Sequence, residues 1–215
     1  GGTGAPLVPI GDKHLFSDYD VCINLGGVAN LTINSGGAPR AFDVVPCNQI
    51  LNKIANRMGL AFDQNGEMAS SGDLLKSWYG SLRTPNFYHK KGPKSISNEW
   101  VEQEVLSKLP KEENPQDLAF TFCKFVGAQI AESPSETVFN TVLLSGGGVY
   151  NKTLLQAIER ALGVKLVIPK TEIINFKEAL IFSFMAVLRL RREVNVLKSV
   201  TGAIDNSSSG VYYSP

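Results

Sequence analysis

Ile23-Asn24-Leu25-Gly26-Gly27-Val28-Ala29-Asn30-Leu31-Thr32 sets two apolar, β-prone segments on either side of paired glycines. Such a segment folds as a strand, a tight turn and a returning strand. Without Cβ atoms the glycines reach positive φ and bring bare N–H groups up to a ligand, as in turns that cradle phosphate oxygens. The pattern recurs downstream, where Thr141-Val142-Leu143-Leu144-Ser145 runs into Gly146-Gly147-Gly148 before a helical pattern opens at Asn151. A single Gly-Gly pair is most often a plain hairpin turn. Two loops of this kind, each ending a buried strand, point to two backbone corners facing one crevice.

Composition removes several classes of function. The chain has 215 residues, 43% of them hydrophobic and 19% charged, enough for a substantial core. Lys and Arg number 21 against 20 acidic residues, so no broad field exists to collect nucleic acid or an anionic membrane, and any phosphate site must be local. The three cysteines, Cys22, Cys47 and Cys123, include no CxxC pair and read as reduced, buried and structural, which suits a cytoplasm. The two histidines, His14 and His89, have no partner at metal-ligand spacing, which argues against zinc. The apolar run from Ala179 to Leu188 is too short to span a bilayer, ends near Arg189, Arg191 and Arg192, and reads as a core helix. The first residues lack an initiator Met, a basic segment and an apolar segment, so they do not read as a signal peptide, and the chain reads as starting mid-protein.

Along the chain, residues 1–20 read as an extended loop. Strands are expected at Val21 to Leu25, Leu31 to Asn34 and Pro39 to Val45, the latter two joined by the hairpin signal Asn34-Ser35-Gly36-Gly37. Asn48 then caps a helix with Ile50, Leu51, Ile54 and Met58 at helical spacing. Residues 60–118, broken by glycines and prolines, form a helical insertion with pieces at Gly72 to Tyr79 and Asn98 to Lys108. A helix from Leu118 to Glu132, a strand from Val138 to Ser145, a helix capped by Asn151, a strand from Lys165 to Ile168 and a helix from Asn175 to Arg192 follow. Val211 to Tyr213 reads as an edge strand. The order β-β-β-α-β-α-β-α implies an α/β fold, a mixed five-stranded sheet with helices on both faces. That order is ribonuclease-H-like, as in each lobe of actin-like ATPases and sugar kinases.

Further motifs are Gly1-Gly2-Thr3-Gly4-Ala5-Pro6-Leu7-Val8-Pro9, Phe42-Asp43 with Pro46 and Asn48, Gly92-Pro93-Lys94-Ser95 with Glu99, Glu178-Ala179-Leu180 and Ser199-Val200-Thr201-Gly202-Ala203. Together with Asn24 to Thr32 and with Gly146-Gly147-Gly148 and Asn151, they resemble those of the anhydro-N-acetylmuramic acid kinase family. The resemblance implies an actin-like kinase that uses ATP and Mg²⁺ to open 1,6-anhydro-N-acetylmuramic acid with water and phosphorylate O6, in bacterial cell-wall recycling. It also implies that residues 1–215 form the C-terminal lobe of a two-lobed protein whose N-terminal lobe is missing here. No catalytic residue is then expected in this chain, the family's aspartate falling just upstream of Gly1, and the isolated chain is expected to be inactive. The family's Asp-Thr-Gly-Pro-Gly-Asn pattern reads Asp43-Val44-Val45-Pro46-Cys47-Asn48, an expected aspartate reads Asn52, Thr3 stands for Gln, and Asn98 stands for Arg. These departures leave open a kinase for a different amino sugar, or a non-catalytic sugar-sensing lobe.

Residue by residue, Gly26, Gly27 and Gly146 to Gly148 are the nucleotide loops. Asn24 and Asn30 either hold a phosphate or metal-bound water, or simply bond at a ladder end. Asn151 contacts the nucleotide or only caps its helix. Asp43 meets Mg²⁺ through water or forms an Asx-turn. Glu178 accepts from a sugar hydroxyl, or is there for the helix dipole. Lys94 contacts substrate or is solvated, and Gly4 belongs to the substrate side by resemblance. The aromatic content of residues 78–100 leaves a homodimer interface open.

Overall fold

The computed structural model describes residues 2, 4–90, 94–133 and 139–213. A short helix, α1 (Pro9–Leu15), leads into three strands, β1 (Val21–Leu25), β2 (Val28–Ile33) and β3 (Arg40–Pro46), and then α2 (Asn48–Asn56). The insertion carries α3 (Glu67–Ser70), α4 (Lys76–Leu82) and α5 (Asn98–Glu104). The chain closes with α6 (Pro115–Glu132), β4 (Val142–Ser145), α7 (Lys152–Leu162), β5 (Leu166–Val167), α8 (Thr171–Leu190) and α9 (Lys198–Thr201).

The five strands form one sheet in the order β3-β2-β1-β4-β5. β1 pairs antiparallel with β2 and parallel with β4, and β4 pairs parallel with β5. The mixed sheet expected from the element order is therefore present. Alternation along β1 decides which side each residue faces. Val21, Ile23 and Leu25 join the larger core with α2, α6 and α7, whereas the smaller core gathers Ile10, Ala41, Ile181, Met185, Leu188 and Val200 from α1, β3, α8 and α9. Helices thus cover both faces.

Helix α6 is the centre of the larger core. Asn114 caps it, its side chain accepting from Gln116 N, and Pro115 occupies the first turn, where a missing N–H costs nothing. Phe122 and Phe125 are fully buried, each contributing roughly 2–3 kcal/mol by removal of apolar surface from water. Gly127 allows α7 to approach closely, since a Cβ there would stand 2.6 Å from the Ala157 carbonyl oxygen.

Four expectations change. Residues 9–15 are helical rather than extended: Pro9 opens the helix, and Gly11, which reads as a breaker in sequence, lets α1 press against Ile181 of α8. Helix α8 begins at Thr171, and rather than being wholly buried it is apolar on its exposed side as well as its buried one. Lys177, Ile181, Met185 and Leu188 form its inner side, while Phe176, Leu180, Phe182, Val187 and Leu190 are exposed. Val211, Tyr212 and Tyr213 are exposed and form no strand; β-prone composition without a sheet edge beside it makes no ladder. Met58, expected on the buried side of α2, lies beyond the helix end and is exposed. The expected start of β4 at Val138 lies outside the described residues, as do Gly1, Thr3, Gly92 and Pro93.

Candidate functional site

Parallel pairing aligns Asn24 of β1 with Ser145 of β4. Both glycine loops therefore leave the same end of the sheet, outside the carboxyl ends of its parallel strands, where ligands of α/β proteins collect. The loops also touch. A Cβ on Gly146 would stand 2.5 Å from Asn24 Oδ1 and 2.9 Å from the Leu25 carbonyl oxygen, and one on Gly148 would stand 2.6 Å from Leu25 Cβ. Gly146 has φ 82° and ψ 167°, a conformation essentially restricted to glycine.

Gly26 and Gly27 differ from expectation, for neither takes a positive φ. Their carbonyls accept from the amides that open α2: Asn48 N to Gly26 O at 3.1 Å, and Cys47 N and Gln49 N to Gly27 O at 2.7 and 3.3 Å. The turn satisfies otherwise unpaired helix N–H groups, and this anchoring fixes its shape. Asn48 adds a brace, its Nδ2 donating to Leu25 O at 2.9 Å. It is the first residue of α2 rather than its cap, which is Cys47.

Two cavities flank the loops, each of about 300 Å³. The first is lined by Asn24, Asn30, Asp43, Ser145, Gly146 and Glu178, with Asp12, Cys22, Thr32 and Lys177 also in its wall. The second is lined by Gly147, Gly148 and Asn151 with Asn48, Asn52, Phe62, Asp63 and Tyr150. The residues singled out in the sequence are thus divided between neighbouring cavities, while Gly26, Gly27, Gly4 and Lys94 are not among the lining residues of either.

Asn24 and Asn30 are direct cross-strand partners, the register against β3 shifts between Ala29 and Asn30, and both asparagines line the first cavity. Asp43 is half-buried; its Oδ2 accepts from Ile96 N at 2.8 Å, and its own N–H donates to Lys94 O at 2.9 Å. That partner lies far along the chain, so Asp43 makes no Asx-turn here. Burial raises its carboxyl above the usual carboxylate range, with the Ile96 amide pulling partly back. Glu178 is exposed to the first cavity and sits two turns inside α8, beyond the reach of the helix N-terminus. Asn151 does cap α7, its Oδ1 accepting from Leu154 N at 2.9 Å.

Of the two readings of Lys94, substrate contact or solvation, its surroundings do not match the second. It is half-buried, donates to Phe87 O at 3.2 Å and lies 4.7 Å from the centre of the Phe87 ring, and burial lowers its pKa, with Lys90 adding to the effect. Gly4 is exposed with φ 72° and open space around it. The sequence reading missed Asp12, Thr32 and Lys177, which meet through buried polar contacts in the wall of the first cavity. It also missed Phe62, whose ring is an exposed edge of the second. Asp12 fell in a segment read as loop, and only its i, i+3 relation to Pro9 could have hinted at a helix.

The family model described as anhydro-N-acetylmuramic acid kinase matches residues 1–215. The chain belongs to the anhydro-N-acetylmuramic acid kinase family. Family members of that name from Caldanaerobacter subterraneus subsp. tengcongensis, Francisella tularensis subsp. novicida and Salinibacter ruber are 30%, 30% and 31% identical, each over 94% of this chain. The chain spans 57%, 58% and 56% of their respective lengths. Among solved structures, the activator of the 2-hydroxyisocaproyl-CoA dehydratase from Clostridium difficile, with bound ADPNP, matches with a TM-score of 0.52 at 16% identity, over 87% of this chain and 68% of that one. Component A of the Acidaminococcus fermentans (R)-2-hydroxyglutaryl-CoA dehydratase matches with a TM-score of 0.51 at 16% identity, over 81% of this chain and 63% of that one. The fold is accordingly that of the actin-like ATPases.

The family's departures at residues 44–48 also find a place. Val45 and Cys47, standing where glycines are expected, are fully buried in the larger core, so their bulk is taken up inside the protein and does not fill the cleft. Among the described residues no three His, Cys, Asp or Glu side chains gather as a metal-ligand set, and no helix is long and apolar enough to cross a membrane.

Proposed function

We propose that residues 1–215 are the C-terminal lobe of an ATP-dependent kinase that opens 1,6-anhydro-N-acetylmuramic acid and phosphorylates its O6, in the cytoplasmic recycling of cell-wall sugars. The observation that carries this reading is the Asn24–Ser145 pairing, which sets both glycine loops at one end of the sheet beside two adjoining cavities. Family membership over the whole chain supports the sugar, and the ADPNP bound to a protein of like fold supports the nucleotide.

In this reading the second cavity takes the adenosine, against Gly147, Gly148 and Asn151, with Phe62 and Tyr150 as apolar edges. The first takes phosphate and sugar. Asn24, Asn30 and the Gly146 backbone donate to phosphate oxygens, Gly26 and Gly27 hold the hairpin that carries the two asparagines, and Glu178 accepts from a sugar hydroxyl. ATP with Mg²⁺ supplies the phosphoryl group and neutralises its charge. Mg²⁺ is commonly held by one or two carboxylates together with phosphate and water, and Asp43, in the wall of the first cavity, fits that modest demand through a bridging water. Lys94 acts behind the site, its carbonyl accepting from the Asp43 amide. The base that activates water comes from the remaining part of the protein, so the 215 residues alone bind without turning over.

The test has two arms. Full-length protein is assayed for ADP release against a panel of amino sugars and their anhydro forms, and the present chain is titrated with nucleotide and sugar by calorimetry. Turnover with the anhydro sugar supports the proposal. Turnover with another amino sugar only changes the substrate, and sugar binding without nucleotide binding identifies a sensing lobe instead. Turnover by the 215 residues alone overturns the assignment of the base.

A further inference from the structure

The wall of the first cavity contains a charged junction that neither the sequence motifs nor the proposed chemistry uses. Asp12 and Lys177 are only 2% and 7% exposed, and Lys177 Nζ lies 2.6 Å from Asp12 Oδ1. The other carboxylate oxygen accepts from Thr32 Oγ1 at 2.7 Å. Lys177 also lies over the Phe16 ring, 5.4 Å from its centre.

One carboxylate thus joins three elements: α1 through Asp12, β2 through Thr32 and α8 through Lys177. Each bears on the cavity. Thr32 follows Asn30 by two residues, on the same side of β2, and Lys177 immediately precedes Glu178. Apolar groups of like volume hold helices to sheets at least as well as buried ion pairs, which lose much of their attraction to desolvation. What the junction adds is placement: the carboxylate is hydrogen-bonded by Thr32 through one oxygen and ion-paired with Lys177 through the other, which restricts the rotation and height of α8 over the sheet.

We infer that Asp12, Lys177 and Thr32 are positioning residues that set Glu178 against Asn24 and Asn30, and thereby fix the sugar relative to the transferred phosphoryl group. The inference rests on the kinase reading above. A displacement of about 1 Å in such a site costs up to about 100-fold in rate.

The experiment compares full-length wild type with the apolar double variant Asp12→Leu/Lys177→Met, which removes both charges together. Steady-state kinetics with ATP and the anhydro sugar are measured alongside thermal unfolding. Expected is a folded protein with kcat reduced about 10- to 100-fold, and with the KM for each substrate changed less than about 3-fold. A folded double variant with wild-type kcat overturns the inference while leaving the kinase reading intact. Should the double variant not fold, Thr32→Val serves, since it removes one bond to Asp12 and keeps both charges. Its kcat is expected to fall several-fold, and an unchanged kcat overturns the inference. A wild type that neither binds nor phosphorylates any amino sugar overturns the kinase reading first and this inference with it.

Discussion

Asn24 Oδ1 occupies the space beside Gly146 where a methyl group would have to go, 2.5 Å from the position of a Cβ. The two glycine loops are therefore one packed unit rather than two independent turns. Gly146→Ala should push Asn24 aside and also strain the backbone at φ 82°, ψ 167°. A loss of roughly 1–3 kcal/mol in stability is expected from the conformation alone. Urea unfolding measures it, and calorimetry should show nucleotide affinity falling in the same variant.

Asn151 allows its two roles to be separated. Asn151→Ala removes the bond to Leu154 N and should cost about 1 kcal/mol, the usual value of such a cap. Asn151→Asp keeps the cap. If its amide also touches nucleotide, Asn151→Asp should retain stability yet bind ATP more weakly, whereas equal affinity would mean that the residue serves only the helix.

Asp20 joins the starts of β1 and β4. Its Oδ2 accepts from Asn140 N and Thr141 N at 2.8 and 3.1 Å, and these amides, the Asn140 bond first, hold its pKa below the usual carboxylate value. A carboxyl lowered by folding stabilises the folded state above its unfolded pKa, and that contribution is lost as pH falls through the folded value. Unfolding midpoints measured from neutral pH down to the acid range should therefore drop less steeply in Asp20→Asn than in wild type, with the difference confined to the region near and below pH ~4.

The three thiols are free and buried. Burial pushes Cys22 and Cys47 up to about 12 and Cys123 well above its ordinary value, with Asp12 adding to the effect at Cys22. A thiolate-selective reagent at pH 8 should label none of them in the native protein and all three in denaturant. Rapid native labelling of Cys22, which lines the first cavity, would show that the cavity wall opens.

The sheet was readable because its strands announce themselves by apolar runs and its turns by glycines, and Val21–Leu25 was placed to the residue. The cleft was readable only where a motif marks it. Asp12 escaped notice because proline and glycine around it suggested a loop, when both serve a short helix pressed on Ile181. The setting of Lys94 was hidden for a related reason, since nothing local foretells the aromatic rings that fold over from Phe87 and Phe42. Gly26 and Gly27 were located correctly but given the wrong backbone conformation, because the amides of α2 that hold them come from a segment about twenty residues away. Long-range contacts decide such details, and periodicity does not report them.

The bonds from Gly26 and Gly27 to the first turn of α2 also couple the hairpin tip directly to that helix. A push on the tip, such as an entering phosphate would exert, is delivered along α2 into the packed interior around Ile50 and Ile54. Occupancy of the cleft should therefore be felt as slower hydrogen exchange on the buried side of that helix, around Ile50 and Ile54, and not only at Asn48 and Asn52, which line the second cavity.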